Sequence, residues 1–231
     1  MYPRRVQAQP VVSLFADLVT RADEGINLPA AALALAGVHY PDIDLVAGLD
    51  RLAHMRDTAQ ANAERKEGHP LRVLNDTMFD VLGFRGDREN YYDVRNSLFN
   101  DVLERRRGIP ITLALVYFEL ADAVGVRVEG VSFPGHFLVR HIDSDRLIDP
   151  FDDGHFIDRE GCMAILDALG LTEDDWSEDF LRPASRREIL HRLLNNLRGC
   201  YSRAGDQRRL EVVEEMFTAL ESGGAIGNVI Q

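Results

Sequence analysis

Short runs rich in β-branched and aromatic residues follow one another from Val126 to Phe151: VRVEGVSFP, GHFLVRH and RLIDPF. The turn DDGHF then leads into a last short strand. Such runs read as β-strands. The polar turn HIDSD between the second and third is too short for a crossover, so those strands must be antiparallel neighbours. On both sides of this block the chain reads as helices. The expected fold class is therefore α+β, with an antiparallel sheet flanked by N- and C-terminal helices.

The helical readings rest on spacing and punctuation. In VVSLFADLVTRA, Val11, Leu14, Phe15, Leu18 and Val19 fall on one face. Asn27 is an N-cap for the segment that Pro41 stops. Asp44 opens a long helix with Leu45, Leu49, Leu52 and Met55 at helical spacing, ending by Gly68. HPLRVLNDTMFDVLGF reads as a further helix, RGDRENYYDVRN as a polar connection, and SLFNDVLERRRG as a short helix that Gly108 ends. Pro110 suits the first position of the next helix, where its missing N–H costs nothing, and Gly125 stops that helix after Val124. The last helices form a hairpin around RAGD, and the glycine-rich tail SGGAIGNVIQ reads as loose. Three segments result: helical residues 1–68, a mixed core over 69–160, and helical residues 161–231.

Charge and cysteine usage narrow the function classes. The 231 residues carry 38 Asp and Glu against 26 Lys and Arg, a formal net charge of −12. That balance argues against nucleic acid as a partner, because phosphate backbones are met by concentrated positive charge. No apolar run is long enough to span a bilayer, so no membrane partner is expected. MYPRRVQAQPVVSLF lacks the apolar core and cleavage site of a signal peptide. With Cys162 and Cys200 alone, a disulfide framework is not expected, and the expected location is the cytoplasm.

The chemistry-bearing pattern is FPGHFLVRHIDSDRLIDPF. Facing residues of an antiparallel hairpin have a constant sum of numbers. A turn centred between 142 and 143 sets His136 opposite Asp149. A centre one residue later pairs Leu138 with Asp149 and makes His136 and Asp149 diagonal neighbours. Both registers put the two on one sheet face. An aspartate beside a histidine can fix its tautomer. A helix N-terminus is the electrostatic place for a partner thiolate, but the helix start GIPIT offers proline there.

The order of these parts, a helix start after a glycine and then GVRVEGV, PGHFLVR and LIDPF, resembles the transglutaminase-like superfamily. Its active members use a Cys–His–Asp triad in a papain-like core. The longer stretch YYDVRNSLFNDVLERRRGIPITLALVYFELADAVGVRVEGVSFPGHFLVRHIDSDRLIDPF is similar to the SirB-type bacterial branch. AALALAGVHYPDIDLVAGLDRLA resembles that branch's helical N-terminal segment, and ILHRLLNNLRGCYSRAGDQRRLEVVEEMF its tetratricopeptide-like C-terminal one. By this resemblance His136 falls at the triad histidine, Asp149 at the triad aspartate, and Pro110 where active members have cysteine. Proline is no nucleophile, so thiol acyl transfer at that position is excluded.

Other residues are candidates for a substitute nucleophile or for cleft lining. Thr112 lies near the helix start, but two positions on it suits capping or packing. Ser97 reads as a helix N-cap with Asp101 in the first turn. Cys162 sits at a helix start in REGCMAILDAL yet reads as a buried thiol, and Cys200 as core. Asn96, Asn100 and Arg106, with Pro110 and Thr112, are the candidate lining of a ligand cleft. Arg105 to Arg107 can receive a carboxylate or phosphate, or pair with Asp101 and Glu104. DPFDDGH has the oxygens of a metal site but equally describes a turn. The expectation is a degenerate core that binds a peptide or protein partner, without metal or cofactor. The competing expectation is an enzyme with His136–Asp149 as general base on water or a hydroxyl, for hydrolysis or amide-bond chemistry. No oligomeric state can be read.

Overall fold

The computed structural model describes residues 9–65 and 68–227. Of MYPRRVQAQPVVSLF, read above as no leader, the first eight residues lie outside the described residues. In chain order the helices are α1 (Gln9–Val19), α2 (Leu28–Leu35), α3 (Leu45–Arg65), α4 (Pro70–Asn75), α5 (Phe99–Arg105), α6 (Pro110–Ala123), α7 (Arg159–Asp167), α8 (Arg186–Ala204) and α9 (Gln207–Gly227). The strands are β1 (Arg85–Gly86), β2 (Arg107–Gly108), β3 (Val128–Val131), β4 (Leu138–His141), β5 (Arg146–Asp149) and β6 (His155–Ile157). An α+β fold with flanking helices is what the strand block required. The residues group into two compact units, 1–49 with 92–101 and 185–231, and 50–91 with 102–184.

In the helical unit α1 packs on α2 and α9, α2 on α8, and α8 on α9. The Asn27 side chain accepts the Ala30 N–H at 3.0 Å and so caps α2. Ser185 and Glu188 form a capping box at the start of α8. Gly205, with φ +66°, closes that helix in the left-handed conformation, so α9 can fold back. The tail does not loosen at Ser222. Helix α9 continues to Gly227, and residues 228–231 lie outside the described residues. The reason is packing: a Cβ on Gly223 would stand 2.5 Å from the Val19 carbonyl oxygen. That glycine serves a close approach of two helices rather than flexibility.

The sheet unit is a four-stranded antiparallel meander, in order β3-β4-β5-β6. Val139 pairs with Ile148 and Arg140 with Leu147, the later of the two hairpin centres. Alternation sends Leu138, Leu147 and Ile157 to one face, where they pack with Cys162 and Leu166 of α7. The opposite face meets α6: a Cβ on Gly130 would touch both Phe137 and Phe118. Helix α6 is buried from Pro110 to Tyr117, as its all-round apolar sequence demands. It ends at Ala123, with Gly125 at φ +70°.

Three features differ from the sequence reading. After Asn75 the expected helix widens into a π-helical turn, Asp76–Val81, which ends at Leu82. The polar connection holds strand β1, paired in parallel with β2 through Arg85↔Arg107 and Gly86↔Gly108. Strands of two residues carry no periodicity from which to be read. Ser97 follows the 3-10 turn Val94–Asn96 and stands two residues ahead of Phe99, where α5 begins. Among the described residues no helix is long and apolar enough to cross a membrane.

Candidate functional site

The sheet unit brings His136 and Asp149 together from two turns. Gly135, at φ +66°, bends the chain ahead of β4, and the His136 N–H closes that bend on the Phe133 carbonyl at 3.1 Å. Asp149 ends β5 and caps the turn Pro150–Asp152, its Oδ1 accepting the Phe151 N–H at 2.9 Å. Its Oδ2 lies 2.8 Å from His136 Nε2. An ionised carboxylate only accepts, so Nε2 is the donor nitrogen. The ring's Nδ1 makes no hydrogen bond among the described residues. Both side chains are largely buried, 14% and 13% exposed.

Residues far apart in sequence hold this pair, and spacing singles out none of them. The Gly154 N–H donates to the Asp149 carbonyl at 2.9 Å. Asn75 donates its side-chain N–H to the Gly154 carbonyl at 2.9 Å, and Tyr117 of α6 donates to Asn75 Oδ1 at 2.7 Å. A line of hydrogen bonds thus runs from the middle of α6 to the turn that carries Asp149. The left-handed Gly154 (φ +74°) is the one signal in DDGHF that could have pointed to it. Phe151 is the second support. Its ring stands edge-on to the His136 ring, centroids 6.0 Å apart, and edge-on to Tyr91. Its backbone and ring press on Gly86, where a Cβ would come within 2.5 Å of the Phe151 carbonyl oxygen. Gly86 pairs with Gly108, which precedes the start of α6.

Pro110 is the first residue of α6 and is buried. The Thr112 hydroxyl accepts the Ile109 N–H and donates to the Ile109 carbonyl, each at 3.1 Å, so it caps the helix from within. Arg106 has φ +60° and turns its guanidinium onto the Phe84 ring, with a hydrogen bond to the Leu103 carbonyl at 2.7 Å. Burial lowers the affinity of that guanidinium for its proton, with Arg51 adding to the effect. Asn96 and Asn100 belong to the helical unit. Asn96 is fully buried in the turn Val94–Asn96, and Asn100 is half-buried, its Oδ1 without a partner among the described residues.

The cysteines do not supply a nucleophile. Cys162 is fully buried beneath the sheet. Burial, with Asp158 and Asp149 nearby, pushes its thiol up to about 11, so it is not a thiolate near neutral pH. Cys200 is half-buried in α8, and burial raises its pKa as well. In DPFDDGH the acids are engaged with basic groups: Asp152 with Arg88 and His155, Asp153 with Arg85. Among the described residues no three His, Cys, Asp or Glu side chains are grouped to hold a metal.

A family model described as the transglutaminase-like superfamily matches residues 44–195. A UPF0162 protein of Xylella fastidiosa is 37% identical over 201 residues, covering 84% of this chain and 72% of its own length. A UPF0162 protein of Pseudomonas aeruginosa is 35% identical over 193 residues, 80% of this chain and 68% of its own. The human F-box only protein 21 is 31% identical over 124 residues, which are 54% of this chain but 18% of the human protein. No solved structure matches the chain.

Proposed function

The chain belongs to the transglutaminase-like superfamily, and from that premise we propose that it is a catalytically degenerate member of the SirB-type branch that works as a binding or regulatory module. The carrying observation is a His136–Asp149 pair held at 2.8 Å while the helix that should present the cysteine opens on Pro110. The retained pair shapes a cleft for a peptide or protein partner, and the tetratricopeptide-like α8–α9 hairpin offers a further surface. The human relative supports the modular reading, since the similar stretch is 18% of that protein. Arg106, Pro110 and Thr112 remain in this proposal as framework of the sheet unit, Asn96 and Asn100 as framework of the helical unit, and the protein acts in the cytoplasm.

One observation favours the second reading, an enzyme without cysteine. The unbonded Nδ1 of His136 has the lone pair of a general base once Nε2 donates to Asp149. A transamidation and hydrolysis assay with a glutamine peptide, an amine and an activated ester separates the two. We expect wild type and His136→Ala to be equally inactive. Turnover that His136→Ala abolishes in a folded protein would establish the enzyme instead. A gain test addresses the position itself. Pro110→Cys should create a thiol that iodoacetamide alkylates about tenfold faster than the same thiol in a Pro110→Cys, His136→Ala double variant. Equal rates would mean that the start of α6 does not face the histidine.

A further inference from the structure

A pocket of about 440 Å³ opens beside the β1–β2 pair in the sheet unit. Three arginines reach it from two segments: Arg88 just after β1, Arg105 at the end of α5, and Arg107 in β2. The run RRR is split by the left-handed conformation of Arg106, which sends that side chain onto Phe84 and leaves its two neighbours at the pocket. Asp87 anchors the site. It is almost fully buried, accepts the Asn90 N–H at 3.0 Å and pairs with Arg105 at 3.5 Å. Arg107 is exposed and carries no ion pair among the described residues. Arg88 pairs with Asp152 and lies 5.1 Å over the ring of Phe151, the residue that stands against His136.

The chemistry of the lining selects a ligand. Guanidinium groups supply donors only and suit a carboxylate or phosphate. Glu89 and Asp87 line the same pocket, and their charges oppose a dianion more than a single carboxylate. With Asn90 they also supply acceptors, which a phosphate with few protons cannot satisfy. A ligand with side-chain carboxylates and backbone N–H groups satisfies both sets. Arg88 and Arg105 already have Asp152 and Asp87 as partners, so on a chain of net charge −12 the exposed guanidinium of Arg107 is the charge at this pocket that attracts an acidic partner. We propose that this pocket binds an acidic peptide segment, with a carboxylate held between Arg88 and Arg107. The proposal goes beyond the degenerate-triad reading, because neither His136 nor Asp149 lines the pocket.

The test is fluorescence anisotropy of the full chain with a labelled peptide of alternating glycine and glutamate, beside its glutamine counterpart. The glutamate peptide should bind about tenfold tighter, and added salt should weaken it. Arg107→Glu should remove that preference, and Arg88→Gln should weaken binding about tenfold. Phe156→Ala, outside the pocket, should leave binding unchanged. Equal affinity for the two peptides, or an Arg107→Glu protein that binds like wild type, overturns the proposal. Inorganic phosphate displacing the peptide at lower concentration than free glutamate overturns the carboxylate assignment. Arg107 is exposed, so its variant tests the ligand and not the fold.

Discussion

Asp149 does three structural jobs with one residue. Its two carboxylate oxygens take the His136 and Phe151 N–H groups, and its carbonyl takes Gly154. Asp149→Ala leaves two donors in a largely buried place without an acceptor, so it should cost about 2 to 3 kcal/mol in a urea denaturation. Asp149→Asn keeps an acceptor and should cost roughly half as much. An alanine variant as stable as wild type would mean that the pair contributes nothing to the fold. Cys162 gives a prediction of opposite character. Its thiol is pushed up from 9.0 to about 11, so the unfolded chain releases that proton first as pH rises. The unfolded state then binds fewer protons than the native one, and stability must fall between pH 9 and 11. Cys162→Ala should flatten that part of the stability profile, whatever it costs in packing. A wild-type profile already flat over that window would contradict the burial.

At the scale of elements, the supports of the site are glycines where backbones meet. Gly86→Ala would set a methyl against the Phe151 carbonyl oxygen, and backbone cannot swing away as a side-chain tip can. It should cost about 1 to 3 kcal/mol and shift the turn that carries Asp149. Gly199 lies inside α8, and a Cβ there would meet nothing within 4 Å, so Gly199→Ala should stabilise by about 0.5 to 1 kcal/mol. Thermal unfolding of both variants checks the contrast, and two changes of the same sign would refute it. What was legible in the sequence follows the same division. Local rules placed the Asn27 cap, Pro110 at a helix start, the stop at Gly125 and the turn at RAGD, because each depends on its own few residues. The hairpin narrowed His136 and Asp149 to two registers, and the ladder through Val139 and Ile148 takes the later one. Asn75, Tyr117 and Gly86 were not legible, since their roles depend on contacts more than thirty residues away.

For the molecule as a whole, helical periodicity reveals which face of each helix is apolar but not which distant helix covers it. The helical unit is assembled from the first 49 residues, a short internal stretch and everything after Ala184. Arg187, in the first turn of α8, donates to the carbonyls of Val19 and Arg21 at one end of the chain and Leu220 at the other, at 2.7 to 2.8 Å. Asp23 in turn accepts the Arg186 and Arg187 N–H groups at 2.9 Å, a carboxylate at a helix N-terminus. Fully buried Phe15 and Val19 lie in α1, whose packing partners are α2 and α9. Helices of 11 and 8 residues are marginal alone in water. A chain that stops at Ala184 should therefore lose more helix than it deletes. Circular dichroism of that truncation should show a deficit larger than the 19 residues of α8 and 21 of α9 account for, because α1 and α2 lose the faces that order them. A deficit that equals those two helices alone would mean that the first segment folds without the last.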